Sequence, residues 1–187
     1  MRVLARLYRR VRELAERFGA WRASRLADRD RGAAERWLRF AAWVAPGFSA
    51  VHRDLVAWCR RRDDRLAALE VARRAARRYS GSSDAWMLLG EAYLAAFRPD
   101  DALVAFEQAL SLEERPDAAM AAGDLYARRG DYVNAGARYA RAYAAGAGAD
   151  ALRANARALR AAGDDRAAEE AIALWKQVTG REWVEGE

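Results

Sequence analysis

A recurrence of side-chain size at a spacing of 33 residues constrains this chain more than any other feature. Gly90, Tyr93, Ala102, Phe106 and Ala109 return 33 residues later as Gly123, Tyr126, Ala135, Tyr139 and Ala142, small for small and aromatic for aromatic. A further 33 residues gives Ala156, Leu159, Ala168, Ile172 and Trp175, apolar throughout, although the last small position has become bulky. Backwards by 34, Ala102 becomes Ala68, with Ala72 and Ala75 behind it, and one more step gives Ala34, Leu38 and Ala41. The loops keep the same phase, since Gly130-Asp131 recurs as Gly163-Asp164. A period of this size is the mark of stacked units, each unable to bury its apolar face alone.

The units are helical. Alanine and arginine dominate the 187 residues, both rank high in helix propensity, and only three prolines occur. A β-sandwich or barrel is excluded on these grounds. Punctuation at Ser80-Gly81-Ser82-Ser83, Arg98-Pro99-Asp100, Pro116, Gly130-Asp131 and Gly163-Asp164 predicts paired helices over 50–61 and 65–79, 84–96 and 100–111, 117–129 and 132–145, and 150–162 and 165–178. Ser83, Asp131 and Asp164 stand where N-caps belong.

The segment from Ser82 to Leu110 carries Trp86, Leu89, Gly90 and Tyr93, then Ala102, Phe106 and Ala109. This is W-x-x-L-G-x-x-Y followed by A-x-x-x-F-x-x-A, and it resembles the tetratricopeptide repeat. Gly90 and Ala102 let two helices approach closely, while Trp86, Leu89, Tyr93 and Phe106 fill the space around that contact. The resemblance divides the chain into a leader at 1–14, units at 15–48, 49–82, 83–115, 116–148 and 149–181, and a tail at 182–187. The first unit is degenerate, with Arg22 and Arg25 where Gly and Tyr are expected, although Pro46 stands at the repeat's terminal-proline position.

The resemblance implies an all-α, right-handed solenoid of antiparallel helix hairpins with an N-terminal amphipathic helix. It also implies a concave groove lined by the first helix of each hairpin, where a peptide binds. The groove positions it assigns are Arg53 and Arg60, then Met87, Glu91 and Leu94, then Met120 and Asp124, then Arg153, Arg157 and Arg160. Methionine adapts to varied apolar ligands, and paired arginines hold carboxylates. The carboxylate-clamp subtype, built on Lys and Asn, is not matched.

Charge is segregated along the chain. Residues 1–82 carry 21 Arg against 9 acids, a net +12, whereas residues 83–187 carry −6, and together they give the overall +6. Leu4, Leu7, Val11, Leu14 and Phe18 form an apolar stripe on one helix that continues to about Ala27. Arg2, Arg6, Arg9, Arg10, Arg12 and Arg17 occupy its other face, diluted by Glu13 and Glu16. Such a helix either covers the open end of a repeat stack or docks on an anionic surface. Trp37, Phe40, Trp43, Phe48 and Trp58 crowd around Pro46, mostly as core with one or two exposed. Arg2, Arg6, Arg9, Arg10 and Arg17, with Trp37 and Trp43, are therefore the expected docking residues for an acidic protein, a membrane-associated assembly or an anionic membrane surface.

Catalysis is not expected. No P-loop, HExxH or GxSxG motif occurs, and the Asp pairs at 100–101 and 164–165 read as helix starts. Cys59 and His52 are the only residues of their kinds and read as packing groups, so neither a metal nor a cofactor is expected. The start lacks a secretory h-region, and the longest uncharged run of the first half, Phe40 to Val51, is 12 residues where a span needs ~20. A cytoplasmic adaptor, whose basic half suits a peripheral place at a membrane, is the expectation. RNA binding through the basic half is the alternative, because arginine interleaved with Trp suits backbone contact and base stacking.

Overall fold

The computed structural model of the chain describes residues 2–27 and 29–184. The described residues form ten α-helices and no strand: α1 (Arg2–Leu26), α2 (Arg31–Val44), α3 (Ala50–Arg61), α4 (Arg65–Arg78), α5 (Ser83–Ala95), α6 (Pro99–Leu112), α7 (Pro116–Arg128), α8 (Tyr132–Ala144), α9 (Ala149–Ala161) and α10 (Asp165–Thr179). The eight helices expected after residue 50 lie within one residue of their expected ends, and the leader merges into α1 as the stripe implied. The chain divides into two compact units, Met1–Arg98 and Pro99–Glu187, and the division falls in the turn between α5 and α6.

The turns are repeated as closely as the helices. In four turns inside hairpins the amide three residues past the last helical residue donates to a carbonyl five residues back: Asp64 to Cys59, Arg98 to Tyr93, Asp131 to Tyr126 and Asp164 to Leu159. This bond closes a Schellman turn, whose preceding residue must take a left-handed conformation. That residue is Asp63 (φ 56°), Phe97 (φ 58°), Gly130 (φ 79°) and Gly163 (φ 83°) in turn. The next residue caps the following helix when it is aspartate, as Asp64, Asp131 and Asp164 do by accepting the amides of Ala67, Asn134 and Ala167. Asp30 caps α2 through Ala33 in the same manner. Ser83 is not the cap of α5. Ser82 is, accepting from the amide of Ala85 at 3.3 Å, which leaves Ser83 buried inside the first turn.

In the first unit, α1 packs on α2, α2 on α3, α3 on α4 and α4 on α5. Ala34 and Ala68, two of the expected close-contact positions, are buried completely or nearly so. In the second unit the helices pack in sequence from α6 to α10. There Ala102, Ala135 and Ala168 have no exposed surface. Gly123 marks the tightest contact, since a Cβ on it would lie 2.6 Å from the Tyr139 ring. Trp175, the bulky residue at a small position, meets Trp183 edge to face at 5.4 Å. The tail folds back there over the end of the last hairpin, so that position has room for an indole.

Candidate functional site

Two surfaces of the first unit carry exposed groups that the core does not use. The first lies on α1 and α2. The apolar stripe of α1 does not cover the hairpin: Val11, Leu14, Phe18 and Trp21 stay half or more exposed, Leu14 at 65% and Trp21 at 50%. The cause is a contact between small residues. A Cβ at Gly19 would lie 2.9 Å from the Ala41 Cβ, so α1 presses Gly19 and the buried Ala23 towards α2 and turns its large side chains outward. Arg12 fixes this rotation by donating from Nε to the Val44 carbonyl at 2.6 Å and from Nη2 to the Ala45 carbonyl at 2.9 Å. Val44 ends α2 and Ala45 follows it, where carbonyls have no partner within the helix; the Ala45 carbonyl also accepts the Tyr79 hydroxyl at 2.9 Å.

The outward side chains join those of α2 in a ladder of rings. Trp21 lies 5.8 Å from Phe18, Phe18 5.6 Å from Trp37, Trp37 5.7 Å from Phe40, and Phe40 6.4 Å from Trp43. Trp43 is 69% exposed and Trp37, half-buried, holds the middle under the Arg22 guanidinium. Of the expected docking arginines, Arg6, Arg9, Arg10 and Arg17 are exposed, and among the described residues none has an acidic partner. The side chains of Arg2, Leu4 and Leu7 lie outside the described residues.

Beside Trp43 a cleft of about 270 Å³ opens between α2, α3 and α4, with Arg39, Arg74 and Arg78 at its edge and His52 and Leu55 within. His52 is buried, stacked on Phe48 at 5.2 Å and edge-on to Tyr79 at 5.1 Å, and its Nδ1 accepts the Ser49 amide. Burial holds its pKa below the ordinary 6.5. Cys59 is buried too, and burial pushes its thiol pKa up, which makes it an unreactive packing group.

The second surface contains the expected groove positions. Arg60 and Leu94 come together in a cleft of about 320 Å³ with Arg65 and Phe97. Glu91 is exposed nearby on α5, whereas Met87 is buried in the core and lines nothing open. Arg53 stands over the Phe48 ring and reaches Asp84 at 3.9 Å. In the second unit, Met120 packs against the cluster of Ala135, Tyr139 and Ala158, and Asp124 accepts the Tyr139 hydroxyl at 2.8 Å. Arg160 pairs with Glu169 at 2.6 Å, Arg153 is half-buried, and Arg157 is exposed.

Phe97 was not singled out by sequence. Bulky residues rarely adopt a left-handed backbone, and this one does so while 79% exposed, with the Arg65 guanidinium 4.8 Å above its ring. Stepping back 33 residues from Gly130 lands on it and would have flagged a phenylalanine where two other turns use glycine.

No protein-family model and no curated protein matches the chain by sequence. Its structure is similar to solved ones. A crystal structure of MamA protein superposes with a TM-score of 0.70 over 89% of this chain and 92% of that one, at 16% identity. A tetratricopeptide repeat protein from Parabacteroides merdae gives 0.67 over 91% and 69%, at 18% identity. YrrB, described as a TPR protein with an unusual peptide-binding site, gives 0.62 over 84% and 83%, at 16% identity. The fold is therefore the all-α tetratricopeptide-repeat fold that the resemblance implied.

Proposed function

We propose that the chain is a non-catalytic interaction scaffold. Its first-helix surface binds a peptide at the cleft formed by Arg60, Leu94 and Phe97, and its basic α1–α2 face docks on an acidic surface. Tetratricopeptide folds serve protein–protein recognition, and YrrB's own description names a peptide-binding site. Phe97 is the observation that carries the reading. A left-handed non-glycine residue costs about 1–2 kcal/mol where glycine would cost little, and an exposed ring returns nothing to the core. Such a residue persists where it serves a contact outside the fold. A ring under the Arg65 guanidinium, in one cleft with Leu94 and Arg60, suits an apolar peptide side chain with a carboxylate near Arg60, Arg65 being held by Asp63 at 3.1 Å.

Affinity capture from the native host, with wild type and Phe97→Gly compared side by side, tests it. Glycine removes the backbone cost but also the Arg65 contact and adds chain entropy on unfolding, so stability should stay within about 1 kcal/mol of wild type. The expected result is a folded variant that has lost a protein partner. An unchanged partner set refutes the peptide site. A gel shift with single-stranded RNA at physiological salt would move the reading to nucleic acid.

A further inference from the structure

The α1–α2 face has the chemistry of a bilayer interface. Its exposed side chains are Tyr8, Leu14, Phe18, Trp21, Phe40 and Trp43, with Val11 between them. Tyr8 to Trp21 is 13 residues, or about 20 Å of helix, and Trp43 widens the strip onto a second helix. Trp and Tyr favour the headgroup level, where one edge of the ring is apolar and the other wet. Arg6, Arg9, Arg10 and Arg17 are exposed on the same helix with no acidic partner among the described residues, and their long stems let the guanidinium reach lipid phosphates while the stripe stays in the acyl boundary.

Other occupants fit less well. A helical partner lays its apolar ridge into a groove. The two clefts described above are not lined by Tyr8, Val11, Leu14, Phe18 or Trp21, and only Trp43 of the face borders one of them. A second copy docked symmetrically would bring two faces of the same net positive charge together. No helix among the described residues is long and apolar enough to cross a membrane, so the face can lie on a bilayer but not span it.

We infer that this face binds an anionic phospholipid bilayer, with the ring ladder at the headgroup level and the arginines on lipid phosphates. The inference rests on the docking half of the reading above and names its partner. Co-sedimentation of the full chain with phosphatidylcholine vesicles, with and without phosphatidylglycerol, tests it without any protein partner present. Binding is expected only with phosphatidylglycerol, falling with salt, and quenching of tryptophan fluorescence by brominated acyl chains should place rings in the interface. At about 1 kcal/mol per arginine near the surface, Arg10→Gln with Arg17→Gln should weaken partitioning about thirtyfold. Leu14→Glu with Trp21→Glu should abolish it, while circular dichroism shows both variants folded, because all four side chains are exposed.

No binding to phosphatidylglycerol vesicles, equal binding to neutral ones, or variants that bind like wild type would each overturn the inference. So would a stable dimer that the Leu14→Glu, Trp21→Glu variant dissociates, or vesicle-free binding of an acidic helical peptide to the face. Failure here leaves the peptide site at Phe97 standing, since capture tests that site separately.

Discussion

Two glycines on facing helices of the second unit should respond oppositely to the same added methyl group. Gly123 lies on α7 against the Tyr139 ring, and a Cβ there would sit 2.6 and 2.7 Å from two ring carbons. The ring cannot swing away freely, because Tyr139 is buried and its hydroxyl donates to Asp124 Oδ1 at 2.8 Å. Gly123→Ala must therefore push α7 from α8 or break that bond. Overpacking costs about 1–3 kcal/mol and a lost hydrogen bond about 1, against a helix-propensity gain of about 1. The net expectation is a loss of about 1–3 kcal/mol. Gly136 on α8 has more room, its nearest neighbours being Asn155 Oδ1 and Leu159 Cδ2 at 3.4 Å. Gly136→Ala should be neutral or gain up to about 1 kcal/mol.

Urea unfolding followed by far-ultraviolet circular dichroism measures both. Stabilities are compared only where the slopes agree, since repeat arrays can lose cooperativity. Tyr139→Leu in the Gly123→Ala background should recover part of the loss, giving a coupling energy of opposite sign to the single effects. Gly123→Ala at wild-type stability would refute the close-contact reading of the repeat's small positions.

Two further outcomes follow from the first unit. Arg12→Ala should cost about 1–2 kcal/mol in a thermal melt, because it strips a charged donor from the carbonyl of Val44 at the end of α2 and from that of Ala45, which keeps only the Tyr79 hydroxyl, whereas Arg10→Ala on the exposed face should stay within about 0.5. His52 should make stability fall in mild acid. Its folded pKa is held below the unfolded 6.5, so between those values the unfolded chain binds the extra proton; the contribution is complete above 6.5 and is lost as pH drops from there towards the folded value. The stability of wild type relative to His52→Gln should decline over that window, and a constant difference would contradict a buried neutral imidazole.

What the sequence could and could not reveal follows from which interactions are local. Ala34, Ala68, Ala102, Ala135 and Ala168 were readable because a helix crossing demands a small residue at the same place in every repeat. The Schellman turns were readable at Gly130 and Gly163, whose glycines announce a left-handed backbone, and hidden at Phe97, whose identity argues against one. The stripe on α1 identified an apolar face but not its rotation. That depends on Gly19 meeting Ala41 and on Arg12 reaching Val44 and Ala45, contacts between residues 22 to 33 positions apart. Groove assignment by repeat position named Arg60 and Leu94, which line one cleft, but could not see that Met87 is buried or that the Tyr139 hydroxyl already occupies Asp124.

The segregation of charge acquires a physical meaning from where the arginines end. In the second unit Arg138 grips Glu107 through two bonds of 2.6 and 3.0 Å, Arg141 does the same with Glu114, and Arg115, Arg129 and Arg160 each reach an acid of that unit. These join neighbouring helices or turns, so their charges are neutralised where they sit and project little field. In the first unit, Glu35 and Glu70 serve Arg39, Arg62 and Arg74, and the arginines of the α1 face are left over. Codon bias could fill a chain with arginine, but it does not account for four exposed arginines on one helix beside seven exposed apolar side chains. A folded chain gains nothing from that arrangement by itself. Like charges at Arg6, Arg9 and Arg10 repel, with Glu13 and Glu16 offsetting them only in part, and the rings beside them bury little on α2. An anionic apolar interface removes both penalties together, and it is the surface on which rings and arginines are stable side by side.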